Sequence, residues 1–359
     1  MDPKQFQPNS PGKLVPVSGI PGITHSFIPA PLPPNWEWPA SLWPLLLKAW
    51  REISSLDGIA THLPDPYLLI VPLQRREAQL SLRLEGTITE PRHQMLFEIA
   101  PRESLSEDDP VNSYREISNY HRALQSYGEM TKDLPVSLRL IRNLHSILMK
   151  GVRGSDQDPG EFRRLQNMIG TPPRYVPPPP NEMPESLDKF EHYIHEDHGY
   201  DKLVNAFLVH YQFEAIHPFR DGNGRVGRLL LSILIQEWSE HKYPWLYMSD
   251  YFNANRSEYL DRLLRVSTHG EWSEWIRFCL EGVIYQAQDT KTRCTNLLDL
   301  AAEYKRRLQT IGGSVRLSSI VDGLFQLPVV QISELARQFD IHYQTARSDV
   351  IRLKEAGIL

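Results

Sequence analysis

The sequence predicts a mainly α-helical protein: a helical bundle with one short β-hairpin flap, followed by a C-terminal helix-turn-helix, winged-helix-like segment. Three observations predict it. Between about Tyr114 and Leu280, apolar residues recur at helical spacing in stretch after stretch. The one long interruption, GEFRRLQNMIGTPPRYVPPPPNE, has prolines at 177–180 that exclude helix, and its NMIG and RYV can pair as a short hairpin. From about Ser314, QISELARQF and HYQTARSDVIRLKEAG flank a tight turn at Asp340–Ile341, which is helix-turn-helix spacing.

The elements follow in order. The first forty residues contain ten prolines, each fixing its own φ and disfavouring helix in the residue before it. This predicts an extended arm with no core of its own, able to dock through Phe27, Ile28, Trp36 and Trp38. SLWPLLLKAWREISSLDG and PLQRREAQLSLRLEGT read as two helices, the second ending at Gly86, and EIAPRESLSEDDPVNS reads as a loop. REISNYHRALQSYGEM, LPVSLRLIRNLHSILMKG, MPESLDKFEHYIHE, DKLVNAFLVHYQFEAI, GRVGRLLLSILIQEW and NRSEYLDRLLRVST are the successive core helices. The expected division is an arm at 1–40, an N-terminal helical region at 41–110, a core at 111–290 and a C-terminal unit at 291–359.

Bulk properties narrow the function. Of 359 residues, 41% are hydrophobic and 23% charged, as in ordinary globular proteins. The net charge of -5 gives no global basic excess to drive nucleic-acid binding. Cys279 and Cys294 form no metal-ligand pair, so a reducing cytoplasm is the simple expectation. No apolar run is long enough to span a bilayer, and the N-terminus lacks signal-peptide order.

The chemistry concentrates in His217 to Arg228, HPFRDGNGRVGR, between two apolar-periodic helices. Gly222, Asn223 and Gly224 open the second helix. Their N–H groups and the helix dipole make an anion site that the small glycines let a ligand approach. Arg225 and Arg228 add permanent cations on one side of the first turn, suited to forked contacts with phosphate oxygens. Asp221 is a hard oxygen ligand beside that site, and Mg²⁺ commonly binds through one carboxylate, substrate phosphates and water. His217 is the residue here able to take a proton near neutral pH, whereas Phe219 suits a core anchor. Chance occurrence of the fixed positions is on the order of one in a billion per start position.

HPFRDGNGRVGR resembles the signature of the Fic family, HxFx[D/E]GNGRxxR, at every specified position. NYHRAL, GEFR, NMIG, YVPPPPNEM and SEYLDRLLRVSTHGEWSEWIRFCLEG also resemble family segments, so the resemblance spans about Trp38 to Leu280. It implies a Fic-type helical core whose members move AMP from ATP onto a Ser, Thr or Tyr hydroxyl. It further implies His217 as general base, Asp221 as Mg²⁺ ligand, and Gly222 to Gly224 as phosphate cradle. Arg228 would meet the terminal phosphate and Arg225 would support the loop, within a nucleotide-binding run that includes Val226 and Gly227. Asn167, Met168, Ile169 and Gly170 would form a flap that covers the nucleotide and aligns the target chain by strand addition. Tyr259 matches a family tyrosine near the base, and Ser267 stands where some members have Asn. No Walker-type or kinase signature offers another nucleotide site.

Ser81 and Glu85 lie four residues apart on one helix face, followed by Gly86. Beside such a core, SLRLEG resembles the family's inhibitory motif, [S/T]xxxE[G/N]. By charge, Glu85 would pair with Arg228 and occupy the place of a phosphate. A charged hydrogen bond of about 1.5–3 kcal/mol would lower the competent population roughly 10- to 100-fold. The expected partners are ATP with Mg²⁺, a target protein and the chain itself as target. DNA binding through the C-terminal segment and a homodimer stay open. So do three other activities: a DNA-binding regulator using the core as a ligand sensor, transfer of another phosphate-containing group, and removal of AMP with Glu85 activating water.

Overall fold

The computed structural model describes residues 2–18, 20–60, 66–106, 108–130, 135–152, 158–196, 198–239, 243–312 and 314–359. Helices dominate the described residues. In chain order they are α1 (Trp43–Ala60), α2 (Tyr67–Leu84), α3 (Pro91–Ile99), α4 (Val111–Met130), α5 (Leu138–Leu148), α6 (Met183–His195) and α7 (Lys202–Ile216). They continue as α8 (Asn223–Ser239), α9 (Ser249–Ala254), α10 (Arg256–His269), α11 (Trp272–Thr310), α12 (Val315–Gln326), α13 (Ile332–Gln338) and α14 (Tyr343–Glu355).

The bundle is organised around α7 and α8, which pack against each other. Along α7, Leu203, Val204, Phe207, Leu208, Tyr211, Phe213 and Ile216 are all buried, and α8 buries Val226 and Leu229 to Ile235. A helix apolar on every side belongs at the centre of a domain. Asp201 caps α7 by accepting from Leu203 N–H at 2.9 Å, and its other oxygen accepts from Trp50 Nε1 at 2.9 Å, tying α1 to the same helix start. The connection between the two central helices is therefore held at both ends by rigid structure.

The N-terminal arm differs from the expectation. It contains β1 (Gly12–Pro16) and β2 (His25–Pro29), paired antiparallel with Leu14 opposite Phe27. Phe27 is fully buried beside Tyr175, and its N–H donates to Val176 O at 2.8 Å. Proline is tolerated because Pro16 and Pro29 stand at strand ends, where a missing donor costs least. Trp36 and Trp38 pack partly buried against the same core.

Other differences are local. Helix α2 begins before Pro72, which lies inside it, and α3 forms in the run just before the predicted loop. Leu134, in the stretch that becomes α5, lies outside the described residues. The expected flap hairpin shrinks to a single antiparallel bridge, Ile169 to Tyr175, because the prolines that follow supply no N–H donors. The boundary expected at 290 falls inside α11, a 39-residue helix that runs from the main core into a second apolar cluster built by α12, α13 and α14. In that unit Asp349 is paired with Arg316, and Arg352 donates to Ile311 O at 2.8 Å, so two charges of α14 serve its own packing.

Candidate active site

Helix α7 ends where His217 adopts a left-handed conformation, φ 51 and ψ 60. A non-glycine residue there is held by its surroundings. Arg163, buried, donates from Nε to His217 O at 2.9 Å and from Nη2 to Pro178 O at 2.6 Å. The next turn is braced from within. Asn223 Oδ1 accepts from Phe219 N–H at 2.8 Å, and its Nδ2 donates to Phe219 O at 2.7 Å. Phe219 is fully buried, stacked on His145 with centroids 3.8 Å apart. His145 Nδ1 accepts from Gly160 N–H at 2.8 Å, so the ring proton sits on Nε2, which donates to Asp221 O at 3.1 Å. Burial pushes His145 down to about 4, keeping it neutral in that tautomer.

This bracing aims the start of α8 outward. The first-turn N–H groups of a helix have no intrahelical acceptor, and the residues that open α8, Asn223 to Arg225, border an open hollow. That hollow, about 350 Å³, is bordered by Glu85, Glu116, Asn167, Met168, His217 and the loop from Arg220 to Arg225. Asp221 Oδ1 accepts from Gly222 N–H at 2.7 Å, and Arg225 Nη2 lies 3.2 Å from Asp221 Oδ2. The Asp221 side chain is 52% exposed toward this space. Among the described residues no three metal-ligating side chains gather. An open carboxylate beside the start of α8, without the ligand number of an all-protein cage, fits a divalent ion that arrives with phosphates.

A second cavity of about 300 Å³ adjoins the first and shares Glu85, His217 and Gly224 with it. Its walls are mostly apolar or aromatic: Tyr175, Tyr211, Tyr259, Leu260, Leu263 and Leu264. Ile169, Gly170 and Ser267 complete its edge. The four predicted flap residues thus border the two hollows in turn, and Asn167 also braces the loop by donating to Phe219 O at 3.0 Å. Tyr259 is buried, and its hydroxyl donates to His210 Nε2 at 2.9 Å, while His210 Nδ1 donates to Gly227 O at 3.1 Å. Ser267 Oγ is bonded to Tyr211 Oη at 2.9 Å. Val226 and Gly227 border neither cavity; Val226 is buried in the core and Gly227 lies against Glu214 and Phe213.

Helix α2 reaches the boundary between the cavities. It closes with Gly86 N–H donating to Arg83 O and Thr87 N–H to Leu82 O, both at 3.0 Å, and Gly86 at φ 91. Glu85 is the last residue before that turn. Its Oε1 accepts from Arg228 Nη2 at 2.6 Å, and Arg228 also donates to Ser81 Oγ at 2.9 Å and Ser81 O at 2.8 Å. Arg228 is buried, whereas the Glu85 side chain is 44% exposed. Burial favours the neutral Glu85 carboxyl, but Arg228, with Arg225 and His217, more than reverses this and holds it below the usual carboxylate range. A β-carbon on Gly224 would collide with the Glu85 carboxylate. The Glu85 carboxylate therefore sits at the start of α8, over Gly224 and bonded to Arg228.

Sequence reasoning missed Glu77, Arg163, His145, His210 and Glu214. Glu77, two turns before Glu85 on α2, is buried and accepts from Ser249 Oγ at 2.5 Å and Tyr120 Oη at 3.2 Å, fixing α2 to α9 and α4. Only its helical spacing from Ser81 and Glu85 could have flagged it.

A helical core with a braced histidine-to-arginine loop and an inward-facing glutamate defines a class, and comparison with known families identifies it. The Fic/DOC family profile matches residues 135–235 and the Fic/DOC family N-terminal profile matches residues 43–127, together just over half of the chain. The chain belongs to the Fic/DOC family. It is similar to the protein adenylyltransferase Fic of Drosophila virilis, 31% identical over 174 residues, covering 47% of this chain and 33% of the relative. The Drosophila grimshawi protein of the same name is 29% identical over the same length. The chain thus spans about a third of the length of these curated relatives. In fold it resembles a Fic family protein from Desulfovibrio desulfuricans, with TM-score 0.60 and 19% identity over 90% of this chain and 92% of that one. It also resembles Fic-1 from C. elegans, with TM-score 0.55 and 18% identity over 72% and 76%.

Proposed function

We propose that this protein is a protein adenylyltransferase, transferring AMP from ATP to a Ser, Thr or Tyr hydroxyl of a target protein, and that Glu85 holds it inactive. The observation that carries this reading is the seating of Glu85 over Gly224 in hydrogen-bonding contact with Arg228. A carboxylate there occupies the position and the counter-charge that a terminal phosphate would use.

In the active state Glu85 leaves. The N–H groups at the start of α8 and the Arg228 guanidinium then receive the phosphates. The apolar cavity beside Tyr259 takes the nucleoside. His217 is suited to be the base: burial, with Arg163 next, pushes its imidazole down to about 4, so it is unprotonated at neutral pH. Its Nδ1 lies 3.3 Å from Glu214 O, an acceptor, which puts the proton on Nδ1 and leaves Nε2 bare. Nε2 removes the target hydroxyl proton, that oxygen attacks the α-phosphorus, and pyrophosphate departs. Asp221 would hold Mg²⁺, which supplies charge neutralisation on the phosphates when bound. We place the activity in the cytosol on the two free, buried cysteines.

The test is incorporation of labelled ATP into the protein itself. Glu85→Gly is expected to raise it, and His217→Ala to abolish it in either background. Mass spectrometry of the product should show an added AMP. No rise with Glu85→Gly removes the brake, and a different added mass removes AMP as the transferred group.

A further inference from the structure

Glu214 lies one helical turn before His217 on α7, in a position no motif assigns. Its side chain is 12% exposed, and Oε2 is 4.0 Å from His217 Nδ1. Oε1 is buried and, among the described residues, has no hydrogen-bond partner. The packing of α8 makes room for it: a β-carbon on Gly227 would strike Glu214 Oε1 and the Phe213 ring. Glu214 and His217 also border the same cavity, so a carboxyl has been installed behind the imidazole at the cost of an unsatisfied oxygen.

The nitrogen it faces is the one that must keep its proton. Nδ1 already has the Glu214 carbonyl as acceptor at 3.3 Å, and the carboxyl of the same residue stands just beyond. We propose that Glu214 is a positioning residue for His217, holding the Nδ1–H tautomer and balancing the imidazolium that forms when Nε2 accepts the target hydroxyl proton. The inference rests on the base role of His217 proposed above. The proton passes from the hydroxyl to Nε2, and Glu214 supplies the negative charge without accepting it.

The surrounding charges decide when Glu214 can do this. Burial pushes its carboxyl up to about 7, Arg228 on α8 opposes that rise, and Glu85 on α2 adds to it. Tyr259 on α10 faces it across the cavity as an uncharged phenol, its own ionisation suppressed by burial and by Glu214. Glu214 therefore changes charge in the neutral range while His217 is still unprotonated. Activity supported by the carboxylate falls as pH drops through that range, because protonation removes the counter-charge. In Glu85→Gly the fall lies lower, since the repulsion from Glu85 is gone.

Two measurements on the full chain test it. The first is the pH–rate profile of AMP transfer in Glu85→Gly with and without Glu214→Gln. Glu214→Gln is expected to lower kcat at neutral pH by about tenfold or more, the loss of one nearby counter-charge. It should leave KM for ATP unchanged and erase the neutral limb, with Glu214→Asp recovering part of kcat. An unchanged kcat and limb, or a change confined to KM, overturns the proposal. The second needs no activity: an NMR titration of the His217 ring in the unmodified protein. Its signals should show an inflection near 7 that Glu214→Gln removes; the same curve in both proteins overturns the proposal. Absence of AMP transfer in Glu85→Gly with Glu214 intact would instead refute the adenylyltransferase reading, and the titration would still judge Glu214.

Discussion

Replacing Glu85 by glutamine separates the charge of the proposed brake from its shape. Glutamine keeps the volume over Gly224 and can offer a carbonyl oxygen to Arg228 Nη2, where the carboxylate now accepts at 2.6 Å. It removes the charge. A hydrogen bond to a charged group contributes about 1.5–3 kcal/mol, and glutamine keeps such a bond to the Arg228 guanidinium while losing the ion-pair attraction, about 0.2–1 kcal/mol. The Glu85 side chain is 44% exposed, so solvent screening puts the hydrogen bond at the lower end of its range. Glu85→Gly should then release about 1.5 kcal/mol of inhibition, roughly a tenfold rise in AMP transfer. Glu85→Gln should release only the ion-pair attraction, about 0.2–1 kcal/mol, a rise of up to roughly fivefold. The assay is the initial rate of labelled-AMP incorporation, with ATP affinity measured by calorimetry on the same proteins. If Glu85→Gln transfers AMP more slowly than the unmodified protein while Glu85→Gly is faster, the brake is steric and the charge argument is wrong. If both match the unmodified protein, Glu85 restrains nothing.

Three other outcomes follow from the geometry. Asn223→Ala removes both hydrogen bonds to the Phe219 backbone, leaving two buried groups at about 1–3 kcal/mol each, so AMP transfer in Glu85→Gly should collapse and thermal stability should fall. Gly227→Ala, forced against Glu214 and Phe213, should lower stability by about 1–3 kcal/mol in denaturant titration, whereas Gly58→Ala, with open space around it, should not. The third concerns acid. Burial depresses His121, His145 and His217 to about 4 and His210 to about 3. Their contribution is present above the unfolded histidine value of about 6.5 and is lost as pH falls toward those folded values, because the unfolded chain binds the protons first. The raised carboxyls Glu77 and Glu214 act in the opposite sense, regaining stability as pH falls. Four histidines outweigh two carboxyls, so melting temperature should drop between about pH 7 and pH 5; a flat profile would show these rings to be more hydrated than their packing implies.

The loop from His217 to Arg228 was legible because its chemistry is contiguous: imidazole, carboxylate, glycines and arginines stand within a span one turn can fold. The helices α4 to α8 were legible from period alone. The N-terminal hairpin was not, since ten prolines in forty residues argue against ordered pairing until Phe27 is seen buried beside Tyr175. The extent of α11 was hidden because a helix leaving one core for another changes its buried face along its length. The packing of Val226 in the core and of Gly227 against Glu214 and Phe213 was not legible, since standing inside the motif says nothing of which way α8 turns a residue.

By itself, the sequence determined the class of fold, a run of residue types suited to meet a phosphate, and a glutamate at helical spacing from a serine. Those depend on local period and on neighbours along the chain. Only the tertiary structure decided what each group faces. It seats Glu85 on Arg228, 143 residues away, fixes His145 and His210 as braces, and sets Glu214 behind His217 with one oxygen unpaired. Charge state follows burial and opposed charges, and those exist only after α2, α7, α8 and α10 have closed around the same two cavities.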